Sequence, residues 1–118
     1  MRFHHVQLAM PRGREDDARA FYEGVLGLEE VPKPSQLAAR GGCWFRSGDV
    51  ELHLGVEEPF APARKAHPAI VVDDLDAIRT RLEAAGADIA EDVQLDAHRR
   101  IHTSDPFGNR LELLEPEP

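Results

Sequence analysis

The feature that most constrains the fold is a faint internal repeat, because one order of patterns occurs twice along the chain. Residues 3–10 alternate apolar and polar side chains, which predicts a half-buried strand. A helix pattern follows and closes at Gly27, and short extended segments then run to residue 56. The second half restarts with a strand at 67–72 and a helix that stops at Gly86. Each half is therefore predicted to fold as β-α-β-β-β.

Residue types place the remaining elements of each half. In the first half we predict three further extended segments, at residues 29–31, 37–46 with an interruption at Gly41-Gly42, and 50–56. In the second half, Asp73 or Asp74 can cap a helix whose inward residues are Leu75, Ile78, Leu82 and Ala85. Short strands are then predicted at residues 88–90, 100–104 and 110–115. The DPFG segment has turn-favouring residues, which predicts a hairpin before the last strand.

The two halves predict an α+β fold made of two βαβββ modules. One domain is predicted over 1–118, with module one at 1–56, a proline-containing connector at 57–66 and module two at 67–115. A half of this length forms only a small sheet with a helix on one face, so its other face needs a partner. We therefore expect a homodimer.

Composition excludes several classes of partner. The chain has 14 Lys and Arg against 22 Asp and Glu, a formal net charge of −8, and it contains no basic run that could follow a phosphate backbone. Nucleic acid and membrane surfaces are therefore not expected partners. The single cysteine, Cys43, cannot form an internal disulfide, and the N-terminus does not resemble a signal peptide. These features predict a cytoplasmic protein.

One histidine on the opening strand and one glutamate on the closing strand of each half are the candidate metal ligands. Superposing the halves places His on His and Glu on Glu; the four residues are His5, Glu51, His67 and Glu112. Two imidazoles and two carboxylates suit a divalent ion such as Zn, Ni, Fe, Co or Mn. His53 shares the strand face of Glu51 and could replace it.

The other histidines are not predicted as metal ligands. A single strand histidine is more often hydrogen-bonded than a metal ligand, and the symmetry of the set is what favours a metal site. His98 and His102 have the spacing of a helical metal pair, but Ile101 and Thr103 between and beside them favour a strand. His4 is expected on the opposite strand face from His5.

Four segments carry a resemblance to a known family: HHVQLAM, ARAFYEGVLGLEEV, KAHPAIVVDDLDAIRTRLEAAGA and, above all, DPFGNRLELLE. They resemble the vicinal oxygen chelate superfamily of glyoxalases, bleomycin-resistance proteins and extradiol dioxygenases, over residues 3–115. The resemblance implies two βαβββ modules, commonly facing each other across a homodimer. By position it also implies the ligands His5, Glu51, His67 and Glu112.

Two functions remain open at this stage. As a metal-dependent lyase or isomerase, the protein would bind a small substrate whose vicinal oxygens chelate the ion, with Glu112 or Glu51 as the catalytic proton shuttle. Gln7, His53 and Arg100 are the predicted residues of the substrate pocket. As a metal-free binding protein, it would instead hold a small molecule or an antibiotic. The sequence does not choose between the two.

Overall fold

The computed structural model describes residues 1–118 and contains the two predicted modules in order. The first half consists of β1 (Val6–Met10), α1 (Glu15–Tyr22), β2 (Glu29–Val31), α2 (Ser35–Ala38), β3 (Cys43–Ser47) and β4 (Val50–Val56). The second half consists of β5 (Ala69–Val71), α3 (Leu75–Ala84), β6 (Ile89–Ala90), β7 (His98–Ser104) and β8 (Arg110–Pro116). The α+β fold of two βαβββ modules is confirmed.

The chain divides into two compact units, which we call the first unit (Met1–Pro62) and the second unit (Ala63–Pro118). The module bounds drawn from the sequence, with one domain over 1–118, stay predictions. No helix in either unit combines the length and the apolar character needed to cross a bilayer.

Both units contain a four-stranded sheet with the same plan. The strand order is β1-β4-β3-β2 in the first unit and β5-β8-β7-β6 in the second. The first pair of each sheet is parallel and the other pairs are antiparallel. The last strand of each unit, β4 or β8, is therefore a central strand with hydrogen-bonded neighbours on both sides. The strands β3 and β7 are central in the same way.

The core of the first unit lies between α1 and one face of its sheet. Helix α1 buries Ala18, Phe21 and Tyr22, and the Tyr22 ring stacks on Phe45 with centroids 5.5 Å apart. Leu52 and Leu54 of β4 are buried as well. Because side chains alternate along a strand, burying these leucines places Glu51 and His53 on the other face.

The second unit repeats this arrangement around α3. The Asp74 carboxylate accepts a hydrogen bond of 3.0 Å from the Ala77 amide, so Asp74 is the N-cap that the sequence allowed. The core of this unit includes Leu75, Ile78, Leu82, Ile101, Leu111 and Leu113. The inward placement of Ala85 is wrong, because α3 ends at Ala84 and Ala85 is exposed.

Several element bounds differ from the sequence predictions, including the strand predicted over 67–72, which spans only Ala69–Val71 and leaves His67 before it. The first strand begins at Val6, so His5 lies just before it rather than within it. Helix α1 ends at Tyr22, two residues before Gly24, and a mixture of i→i−4 and i→i−5 hydrogen bonds continues to Gly27. The strand predicted over 37–46 is wrong in its first part, because Pro34 starts the short helix α2. The chain becomes extended only at Cys43, after the two glycines.

The predicted hairpin before the last strand is present and is tightly fixed. The Asp105 carboxylate Oδ1 accepts bonds from the amides of Phe107 (2.9 Å) and Asn109 (2.8 Å). The Gly108 amide donates to the Asp105 carbonyl at 3.0 Å, and Gly108 adopts a φ of 91°, which glycine tolerates best. This turn sets the register of β7 and β8, pairing Ser104 with Arg110.

Candidate metal centre

The strongest candidate site is in the second unit, where two side chains on strands converge with His67, which lies just before β5. In the β7–β8 register His102 lies directly opposite Glu112. On the other side of β8, Ala69 pairs with Glu112, and the Glu112 amide donates to the Pro68 carbonyl at 3.0 Å. His67, just before Pro68, is thereby brought to the same carboxylate. The centre is built on the central strand and both its neighbours.

The three side chains meet at one oxygen atom. His67 Nε2 and His102 Nε2 are each 3.1 Å from Glu112 Oε1. The prospective ligand atoms of these residues all lie within 4.8 Å of one another. The side chains of His102 and Glu112 are 8% and 7% exposed, and that of His67 is 25% exposed. Two nitrogens and one carboxylate, mostly shielded from water, form a donor set that divalent transition metals prefer.

A cation already accompanies this carboxylate. The Arg100 guanidinium NH1 group donates to Glu112 Oε1 at 3.3 Å, and the Arg100 side chain is 14% exposed. Burial raises the pKa of Glu112, but the hydrogen bonds from His67 and His102 and the charge of Arg100 outweigh it. The pKa of Glu112 is therefore lowered, and the group is a carboxylate at neutral pH.

The hydrogen bond made by His67 Nδ1 indicates which tautomer of the ring is present. His67 Nδ1 is 2.8 Å from the carbonyl oxygen of Lys65, which can only accept a hydrogen bond. Nδ1 therefore carries a proton, and in the neutral ring the lone pair of Nε2 points at the Glu112 oxygen. Two acceptors 3.1 Å apart need a cation between them, either a proton or a metal ion. Metal-binding histidines commonly donate their other ring N–H to a backbone carbonyl in this way.

The first unit brings its own predicted residues together in a different manner. His53 lies between two rings: Trp44 stacks on one side with centroids 3.9 Å apart, and His5 on the other at 4.2 Å. The Nδ1 atoms of His4 and His5 are 2.9 Å apart, and both residues precede β1. We call Trp44, His53 and His5 the ring stack.

His53 contains a buried nitrogen without a hydrogen-bond partner. Its Nε2 atom is shielded from solvent, and the nearest carboxylate oxygen, Glu51 Oε1, is 3.6 Å away. Burial, and next the neighbouring His5, lower the pKa of His53, although Glu51 opposes this effect. His53 is therefore a neutral imidazole at neutral pH, with Nε2 directed toward Glu51 and able to share a cation with it.

Gln7 also lies beside this group. It pairs with His53 in the β1–β4 register. Its amide nitrogen would be 2.7 Å from a Cβ atom placed on Gly55, so the absence of a side chain at Gly55 leaves room for Gln7. A larger residue at position 55 would therefore collide with Gln7, which is one of the predicted pocket residues.

The structure groups the predicted site residues by unit. His67, Glu112 and Arg100 meet in the second unit, and His5, Glu51, His53 and Gln7 lie near one another in the first. The sequence prediction missed His102, because it was judged as half of a helical pair. The usable signal was the DPFGN turn, since counting outward from it places His102 opposite Glu112.

Comparisons with known proteins give a consistent family match. The model of the Glyoxalase/Bleomycin resistance protein/Dioxygenase superfamily matches residues 2–113. A solved glyoxalase family protein from Bacillus anthracis is 45% identical, with a TM-score of 0.93, and the alignment covers 99% of this chain and 96% of that one. No curated protein matches the chain.

More distant solved structures share the fold. An antibiotic binding protein from a Streptomyces species is 24% identical, with a TM-score of 0.72 and 99% of both chains covered. A genomically encoded fosfomycin resistance protein from Listeria monocytogenes is 16% identical, with a TM-score of 0.75, covering 98% of this chain and 93% of that one. Proteins that share this fold are thus described in different functional terms, as an antibiotic binding protein and as a fosfomycin resistance protein.

Proposed function

Because the chain belongs to the Glyoxalase/Bleomycin resistance protein/Dioxygenase superfamily, we propose that it is a glyoxalase-like, metal-dependent enzyme. Its substrate is a small molecule that chelates a divalent ion through vicinal oxygens, and its reaction is of the lyase or isomerase type. The observation that carries this proposal is the convergence of His67 Nε2 and His102 Nε2 on Glu112 Oε1, each at 3.1 Å.

The residues present fit a divalent transition metal. His67, His102 and Glu112 supply two nitrogens and one oxygen, and the Lys65 carbonyl fixes His67 in the tautomer that a metal ligand needs. Zn, Ni, Fe, Co and Mn all accept such ligands. His5 and Glu51 stay predicted ligands. His53 stays the alternative to Glu51, supported by its unpartnered Nε2 atom.

When bound, the ion supplies Lewis-acid stabilisation of negative charge that develops on a substrate oxygen. The chain's own contribution is proton transfer. Glu112 is held as a carboxylate by its lowered pKa, so it can accept a proton from a substrate carbon. His102 and Arg100 orient it through the same Oε1 atom. Glu51 is the second candidate for this role, and its oxygen lies 3.6 Å from His53 Nε2.

The proposal is tested by metal titration calorimetry with Zn²⁺ and Ni²⁺ at neutral pH. We expect each chain to bind about one ion, because the three prospective ligand atoms lie within 4.8 Å of one another. The titration gives the stoichiometry and the affinity. A protein that shows no heat of binding with either ion contradicts this account of the centre.

A pair of histidine variants on β7 localises the ion. His102→Gln removes a nitrogen of the centre and should weaken metal binding at least about tenfold. His98→Gln is the matched control, because His98 belongs to the same strand but bonds the Asp96 carbonyl through Nδ1 at 2.9 Å. Equal affinities of the two variants would remove His102 from the ligand set. Absence of metal binding by the unaltered protein would favour the second function below.

The second candidate function is metal-free binding of a small molecule or an antibiotic. The ring stack favours it, because flat aromatic surfaces bind planar or cationic ligands. Similar proteins include one described as antibiotic binding and one described as a fosfomycin resistance protein. Trp44 is the only tryptophan, so ligand stacking there should quench the intrinsic fluorescence. This alternative is tested by titrating chelator-treated protein with bleomycin and with fosfomycin. If neither compound changes the tryptophan fluorescence or gives a heat of binding, the result contradicts this alternative.

A further inference from the structure

Arg100 joins the candidate metal centre to the loop that precedes β7. Its Nε group donates to the Val93 carbonyl at 2.8 Å, and its NH1 group donates to Glu112 Oε1 at 3.3 Å. Its NH2 group lies 3.6 Å from the half-exposed carboxylate of Asp92. The backbone of Arg100 is fixed as well, because its amide donates to Gln94 Oε1 at 2.6 Å. The guanidinium is thus held in place from two sides.

Arg100 and a metal ion would use the same carboxylate oxygen. Glu112 Oε1 is the atom that the two histidine nitrogens approach, and it is also the acceptor for Arg100. A divalent ion ligated there repels the guanidinium and draws off the charge that held it. Because the Nε bond to Val93 restrains the side chain, Arg100 would stay beside the centre, with its NH1 group left without the carboxylate that it contacts in the structure.

We propose that Arg100 recognises an anionic oxygen of the substrate, so that the chelating group of the substrate is an oxyacid such as a 2-hydroxy carboxylate. This inference rests on the proposed metal centre. The guanidinium fork matches a carboxylate in geometry and charge. The net charge of the chain is −8, which repels anions at long range, so anion selectivity must come from local cations. Arg100 is the cation in contact with Glu112.

The test uses Ni²⁺-loaded protein and two probes of nearly equal shape, glycolate and glycolamide. Both offer vicinal oxygens, but only glycolate carries a negative charge. Calorimetry should show glycolate binding at least about tenfold more tightly than glycolamide, and Arg100→Met should reduce this ratio about tenfold. Arg100→Lys should retain part of it, because a point charge remains without the fork.

Arg99→Met is the matched control. Arg99 belongs to the same strand but pairs with Asp76 (2.7 Å) and Glu115 (3.1 Å), away from Glu112. It should leave the probe ratio and the Ni²⁺ affinity unchanged. Arg100→Met should, in contrast, bind Ni²⁺ more tightly, because an internal competitor for Glu112 is gone. A shift of the two affinities in opposite directions is not expected from general loss of structure.

The outcomes separate this inference from the proposed function. If the unaltered protein binds no Ni²⁺, the metal centre itself is wrong and the inference falls with it. If Ni²⁺ binds but Arg100→Met preserves the glycolate preference, the metal centre stands and the role of Arg100 is refuted. If Arg100→Met does not fold in a thermal melt, Arg100→Lys decides, and an unchanged probe ratio in that variant refutes the role.

Discussion

Replacing Glu112 with glutamine tests the centre with the smallest change of shape. Glu112→Gln keeps the side-chain volume and one oxygen but removes the charge that attracts a divalent ion. Changes outside the ligand set already weaken metal binding by about 10–100-fold, so loss of a charged ligand should cost at least about 100-fold. The reason is electrostatic, because an amide oxygen stabilises a divalent ion less than a carboxylate does.

The cost in stability follows from the partners of Glu112. Its Oε1 atom has three close partners in the structure: His67, His102 and Arg100. Hydrogen bonds to a charged group contribute about 1.5–3 kcal/mol each, against about 1 kcal/mol for neutral pairs. The side-chain oxygen of glutamine can still accept a hydrogen bond, so the variant loses only the difference in free energy between a charged and a neutral hydrogen bond. We expect the metal-free variant to be less stable by about 1–3 kcal/mol, because Arg100 is left with a weaker partner.

Leu113→Ala is the matched control on the same strand. Leu113 is 1% exposed on the opposite face, so its truncation should cost about 2–5 kcal/mol through a cavity and leave metal affinity nearly unchanged. Urea unfolding without metal gives the stabilities, and calorimetry with Zn²⁺ gives the affinities. If Glu112→Gln binds metal as tightly as the unaltered protein, Glu112 is an ordinary strand glutamate and metal-free ligand binding becomes the better reading.

Three further predictions concern pH, the thiol and assembly. The pKa of Glu112 is lowered in the folded state, so the stability that its ionisation contributes is complete above the ordinary carboxyl pKa of about 4.3 and is lost as the pH falls through the lowered pKa. Thermal melts from pH 6 to pH 3 should show a falling melting temperature, and Glu112→Gln should show a smaller fall. Burial raises the pKa of Cys43 to about 11, so roughly one thiol in a thousand is ionised at pH 8 and an aromatic disulfide reagent should react only after unfolding; fast native labelling would contradict this. Light scattering at micromolar concentration should give about twice the mass of one chain, and a stable monomer would count against the predicted homodimer.

Most of the fold was predictable because its signals are local. The period-two pattern of VELHLGV predicted β4 at the observed residues 50–56, and Asp74 capped α3 as an aspartate at that position can. Helix α2 was missed because it is only four residues long, too short for an apolar period to appear. The end of α1 was misplaced because Val25 and Leu26 continue the helical spacing of apolar residues, whereas both of their amides bond the Phe21 carbonyl and the regular helix has already ended.

The centre was harder to predict than the strands because it depends on register. His67 and Glu112 could be named from their places at the start and the end of the second half. His102 needed one more step, which was to follow the DPFGN turn into the pairing of β7 with β8. The partners of His53 could not be read from the sequence, since ring stacking depends on side-chain rotamers.

The two units show how one scaffold reaches different chemistry through single cross-strand neighbours. Opposite Glu51 on the central strand lies Arg46, whereas opposite Glu112 lies His102. Arg46 is exposed, so it places no buried nitrogen beside Glu51. His102 is buried and gives the second unit its third prospective ligand atom. Two residues further along the last strand of each unit, Trp44 lies opposite His53 in the first unit and Arg100 lies opposite Leu114 in the second. The first unit therefore has an aromatic surface where the second has a guanidinium. Because the strand order is shared, these neighbours, rather than the topology, decide which unit can hold a cation by itself.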